Sequence, residues 1–72
     1  MEHIDARGKS CPLPIVLTAK ALRAAPAGQA VTITADDRAF PEDIQAWCRK
    51  TSHELVSLET KAGFYEAVVK KP

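Results

Sequence analysis

Seventy-two residues are about half the usual length of a domain, so a single domain over residues 1–72 is expected, with a small core and no length for a separate substrate lobe. Apolar residues make up 46% and charged residues 26%, which argues against a disordered chain. A net charge of +1 gives no footprint for direct nucleic-acid binding or for a polybasic membrane contact.

The opening MEHIDARGKS mixes acidic and basic residues where a secretory leader needs an apolar run, and no segment has the length to span a bilayer. A cytoplasmic protein with no membrane contact is expected. The alternation His3-Ile4-Asp5-Ala6 sends Ile4 and Ala6 to one face, the period-2 pattern of a short strand that Gly8 ends. From Cys11 the period becomes helical, with Ile15, Thr18, Ala19 and Leu22 on the core side, until Pro26-Ala27-Gly28 closes the helix. Leu13 and Val16 then fall outside the core side, beside Cys11, as an apolar patch suited to partner docking. A rotated helix would put both in the core instead.

Residues 30–35, AVTITA, place Val31, Ile33 and Ala35 on one face and the threonines on the other, the clearest strand in the chain. Phe40-Pro41-Glu42-Asp43 carries the proline and early acidic residues of a helix start, while Asp36 and Asp37 suit turn and capping amides. Phe40, Ile44, Trp47 and Cys48 share one face of this second helix, so Cys48 reads as a core residue. His53 to Glu59 and Phe64 to Lys70 read as strands joined by Thr60-Lys61-Ala62-Gly63, with Tyr65, Ala67 and Val69 facing inward. The order β-α-β-α-β-β predicts an α+β fold, a two-layer sandwich in which both helices lie on one face of a mixed four-stranded sheet.

Residues 8–14, GKSCPLP, carry the chemical signal. Pro12 and Pro14 both fix φ, so Cys11 sits at or just before a rigid helix start. Free amides of Leu13 and Ile15, the helix dipole, and Arg7 and Lys9 upstream are expected to lower its pKa. Pro14 stands where a C-x-x-C motif has its resolving cysteine, so the site is monothiol. Neither His3 nor His53 has a sequence-based claim to be the base of a cysteine hydrolase. A thiol that accepts a group and passes it on fits what is left. Cys11 and Cys48 permit one disulfide but not a secreted framework, which favours a reducing compartment. A metal site built from Cys11, Cys48, His3 and His53 lacks the close ligand pairs of structural zinc, and no metal or other cofactor is expected.

Asp5-Ala6-Arg7-Gly8, Cys11-Pro12-Leu13-Pro14-Ile15, Ala35-Asp36-Asp37, Asp43-Ile44, Trp47-Cys48 and His53-Glu54-Leu55 together resemble the TusA/SirA family of small sulfur carriers, over essentially the whole chain. The resemblance implies that Cys11 holds a persulfide received from a cysteine desulfurase or a rhodanese and delivers it to a downstream acceptor protein. That relay serves tRNA thiolation, molybdenum cofactor synthesis or sulfur oxidation. Asp5, Arg7, Gly8, Lys9, Pro12 and Pro14 are the expected supporting residues, with Asp5 in the wall around the sulfur. Arg38, Ser52 and Lys9 depart from common family residues; many members have proline, glycine and an apolar residue there. A monomeric carrier is expected rather than an independent enzyme. The rival readings are a regulatory interaction module that does not use the thiol, and a redox switch pairing Cys11 with Cys48.

Overall fold

The computed structural model describes residues 2–72. The β-branched run at 30–35 forms β2 (Ala30–Ala35), whose Val31, Ile33 and Ala35 are fully buried, as the alternation predicts. β2 pairs in parallel with β1 (Glu2–Asp5) and antiparallel with β4 (Phe64–Lys70), which in turn pairs antiparallel with β3 (Glu54–Lys61). The sheet order is β1-β2-β4-β3. α1 (Leu13–Ala24) and α2 (Phe40–Thr51) connect the strands and complete the expected α+β architecture. The core joins Val31 and Ile33 of β2 and Ala67 and Val69 of β4 to Leu22 of α1 and to Phe40, Ile44 and Cys48 of α2.

Three local features differ from the sequence expectations. The buried stripe of α1 is Pro14, Thr18 and Leu22, with Ile15 and Ala19 only partly buried on its flank. The i, i+4, i+8 spacing is helical, but the helix is turned to bring Pro14 inside. Proline has no N–H to leave unsatisfied, and the Thr18 hydroxyl donates to the Pro14 carbonyl at 2.8 Å, so this stripe buries no orphaned polar group. Trp47, expected in the core, is only half-buried. The third strand starts one residue later than expected and runs two residues further, while the fourth keeps its expected limits: Lys61 pairs with Phe64, which leaves a two-residue turn at Ala62-Gly63. Gly63 takes the left-handed conformation that lets so short a turn close, with φ 83°.

The parallel pairing of β1 with β2 sets the position of the site. Both strands end at the same edge of the molecule, so the segments leading from Asp5 into α1 and from Ala35 into α2 emerge side by side. Asp36 ties them together by accepting the Gly8 amide at 2.9 Å. Among the described residues, no helix is long and apolar enough to cross a membrane.

Candidate functional site

Cys11 lies two residues before α1, with Pro12 at the N-cap and the Cys11-Pro12 peptide cis. Its side chain is exposed and its thiol is free. Sγ donates a hydrogen bond to Oδ2 of Asp43, 2.9 Å away on the first turn of α2. Asp37 completes the cluster: a polar atom from each of Cys11, Asp37 and Asp43 lies within 4.8 Å of the other two.

This environment raises the Cys11 pKa above the ordinary 9.0, opposite to the sequence expectation. The chief cause is the hydrogen bond to Asp43, with desolvation and the negative charges of Asp43 and Asp37 adding to it. Removing the thiol proton would break the bond and set a thiolate against a carboxylate. The expected lowering fails for reasons visible in the same seven residues. Pro14 has no N–H, the Leu13 amide donates to the Ser10 carbonyl at 2.9 Å, and Cys11 stands outside the helix whose dipole acts over its first turn. The prolines that make the start rigid also deplete it of donors.

Arg7 is turned to another partner. Its Nε and Nη2 donate to the Asp5 carboxylate at 2.9 and 3.1 Å, and the guanidinium lies over the Phe64 ring, 5.7 Å from its centroid. Asp5 is held well below the usual carboxylate range, first by that side-chain bond and then by the Arg7 amide. Lys9 and Gly8 are exposed in the loop before Cys11, and Gly8 has φ 81°. The structure therefore sets two carboxylates, not the upstream Arg7 and Lys9, against the thiol.

An open groove of about 320 Å³ runs from Cys11 between the helices, lined by Pro12 and Ile15 on one side and by Asp43, Ala46, Trp47 and Lys50 on the other. Lys50 is the basic residue of its wall. Leu13 and Val16 lie outside the groove, 48% and 52% exposed, so the turn of α1 that buries Pro14 does not carry these two residues into the core. Cys48 is buried beneath, and burial pushes its thiol pKa up. The four residues weighed as a metal site are dispersed: His3 hydrogen-bonds Thr34, while His53 contacts Thr51 and stacks on Trp47.

Sequence reasoning missed Asp43 as the partner of Cys11 and Asp37 as its neighbour, assigning both to helix-start roles. Asp37 does fill such a role, accepting the Ala39 amide at 3.3 Å. A signal for the groove was present: positions 43, 46, 47 and 50 follow i, i+3, i+4, i+7 and form a second stripe beside the core stripe 40, 44, 48.

Comparison with known proteins bears on this geometry. The family model described as "Sulfurtransferase TusA" matches residues 2–71. A relative from Archaeoglobus fulgidus named "Putative sulfur carrier protein" is 35% identical over 71 residues, covering 99% of this chain and 97% of its own. A similarly named protein of Neisseria meningitidis serogroup A is 38% identical over 68 residues, covering 94% of this chain and 92% of its own. The crystal structure of a SirA-like protein from Desulfitobacterium hafniense superposes with a TM-score of 0.83 at 30% identity, covering 97% of this chain and 96% of that one.

Proposed function

Because this chain belongs to the Sulfurtransferase TusA family, we propose that it is a sulfur carrier whose Cys11 Sγ takes up sulfane sulfur as a persulfide and hands it to a second protein. The observation that supports this most is a free, exposed thiol at the mouth of an open groove, on a chain with a second cysteine that is buried. A carrier needs such a thiol, because its sulfur must reach two different partners in turn. Loading exchanges one S–S bond for another: Cys11 Sγ attacks the terminal sulfur of a donor persulfide, a new S–S bond forms, and the donor cysteine leaves as a thiol. No electrons are gained or lost overall, so the step calls for no redox cofactor or metal.

The donor in this reading is a cysteine desulfurase or a rhodanese, and the acceptor is a downstream protein of a sulfur relay. Pro12 and Pro14 limit the conformations of the thiol-bearing segment, and Gly8 supplies the left-handed turn leading into it. The exposed Leu13 and Val16 offer apolar contact beside the thiol for a docked partner. Arg7, paired with Asp5, braces the loop from the far side, and Lys9 tunes which surface docks. The protein works as a monomer in the cytoplasm and depends on its partners to complete a catalytic cycle.

The test is intact-protein mass spectrometry under non-reducing conditions, after incubation with a cysteine desulfurase plus cysteine and, separately, with a rhodanese plus thiosulfate. A gain of one sulfur atom in wild type and Cys48→Ser, removed by reductant and absent in Cys11→Ser, is the expected result. No gain from either donor in the folded protein would leave an interaction module as the better reading.

A further inference from the structure

We infer that Asp43 is the proton carrier of the sulfur-transfer step, taking the proton from Cys11 as Sγ attacks and returning it to the sulfur that leaves. The inference rests on Cys11 being the sulfur-bearing residue and adds a catalytic group 32 positions away in the chain. Three observations carry it. The Cys11 thiol donates to Asp43 Oδ2 at 2.9 Å, so the acceptor already stands where a general base must be. Asp43 is only partly exposed and sits in the wall of the same groove as Cys11, within reach of a reagent entering it. Of the two amides expected to help generate a thiolate, that of Leu13 is bonded to the Ser10 carbonyl, and Pro12 and Pro14 on either side of it contribute none.

The charged groups acting on the thiol are Asp43 of α2 and Asp37 in the segment before it; Lys50 of α2 lines the same groove, and Lys9 is exposed two residues upstream. With two carboxylates nearest, Cys11 rests as a neutral thiol and resists reagents that need a preformed thiolate. Attack then requires removal of the proton during bond formation. In the loading step, Cys11–SH, the Asp43 carboxylate and the donor persulfide anion give the Cys11 persulfide anion, a protonated Asp43 and the donor thiolate; the S–S bond in the donor breaks as the new one forms. Protonated Asp43 then gives its proton to the departing thiolate. Unloading runs in reverse: Asp43 takes the proton of the acceptor thiol as that sulfur attacks the sulfane sulfur, and returns it to Cys11 Sγ as the Cys11 S–S bond breaks.

Asp43→Asn separates this role from simple suppression of the thiolate. Replacing the carboxylate removes the negative charge beside the thiol, leaving at most a weaker neutral acceptor and an amide N–H that can donate to a thiolate, so ultraviolet titration of the Cys11 thiolate, taken as the difference from Cys11→Ser, should show the pKa falling. Single-turnover loading from a persulfidated desulfurase should nonetheless slow by roughly a hundredfold, in the range of general-base effects. Asp43→Glu should recover part of the rate, and Asp37→Asn should lower the pKa with little loss of rate. Faster or unchanged loading in Asp43→Asn would overturn the inference. So would a wild-type loading rate that falls tenfold per pH unit below the thiol pKa in step with thiolate content, a measurement that needs no variant. Wild type that takes up no sulfur would instead overturn the carrier reading itself.

Discussion

Trp47 stacks on His53 with ring centroids 4.7 Å apart and planes inclined by 24°, and the indole also lines the groove that opens at Cys11. The chain's one tryptophan is thus in contact with the ring that follows α2 and within the cavity that receives reagents for the thiol. Its fluorescence should report on both. Attaching a bulky alkyl group to Cys11 should shift Trp47 emission in wild type and leave it unchanged in Cys11→Ser. His53→Ala should change the resting emission and lower stability by about 1 kcal/mol, the scale of a partly buried aromatic pair. Steady-state fluorescence with a urea melt checks both.

Ser52 occupies the left-handed region at the end of α2, φ 62° and ψ 30°, with its amide bonded to the Cys48 carbonyl. A Cβ in that region is strained, and glycine carries no such strain. Ser52→Gly should therefore stabilise the protein by about 0.5–1 kcal/mol despite the extra freedom of the unfolded chain. A higher midpoint in thermal or denaturant unfolding, with unchanged sulfur loading, is the expected outcome.

The exposed pair Leu13 and Val16 distinguishes docking from chemistry. Replacing both with serine removes side chains that are half-exposed and outside the core, so stability should fall by no more than about 1 kcal/mol per site. Loading of Cys11 from a small-molecule polysulfide should be unaffected. Loading from a protein donor should fall by about tenfold or more, the effect of losing an interface contact worth about 1.4 kcal/mol. Equal losses with both donors would show that the patch serves the fold or the thiol itself.

Asp5 should remain ionised well below its ordinary value of 3.8 because Arg7 binds it through both the side chain and the amide. A depressed carboxylate pKa adds stability that is fully present above the unfolded value and is lost as pH falls through the folded one. The loop from Asp5 to Gly8 should therefore hold its structure at neutral and mildly acidic pH and loosen only in strong acid. A carboxyl titration by NMR checks this, and Arg7→Ala should return the Asp5 titration to the usual range.

The fold was most legible where pattern and packing agree. β2 matches its expected limits because Val31, Ile33 and Ala35 alternate strictly with threonines and every inward position is fully buried. The rotation of α1 was less so: LPIVLTAKAL is apolar on most sides, so periodicity alone leaves several faces eligible, and a buried Pro14 depends on the detail that proline brings no N–H. Cys11 stood out because two prolines follow it. Its electrostatic partner did not, because helix-start rules explain Asp43 fully and nothing local says which acidic residue of α2 the parallel pairing of β1 and β2 brings to the thiol. Charges close in sequence, Arg7 and Lys9, suggested a basic setting; the three-dimensional neighbours are acidic.

The thiol and its carboxylate belong to separate strand-to-helix units, and they meet only after β1 has found β2 and α2 has packed against the sheet. Neither half of the chain contains the site. A polypeptide whose second unit has come loose would still display the same cysteine and the same prolines, but with the acidity of an unperturbed thiol. The reactivity of Cys11 is therefore a readout of tertiary assembly: electrophiles should tag partly unfolded molecules faster than intact ones at neutral pH, so that the native contact shields the sulfur atom until the chain is fit to use it.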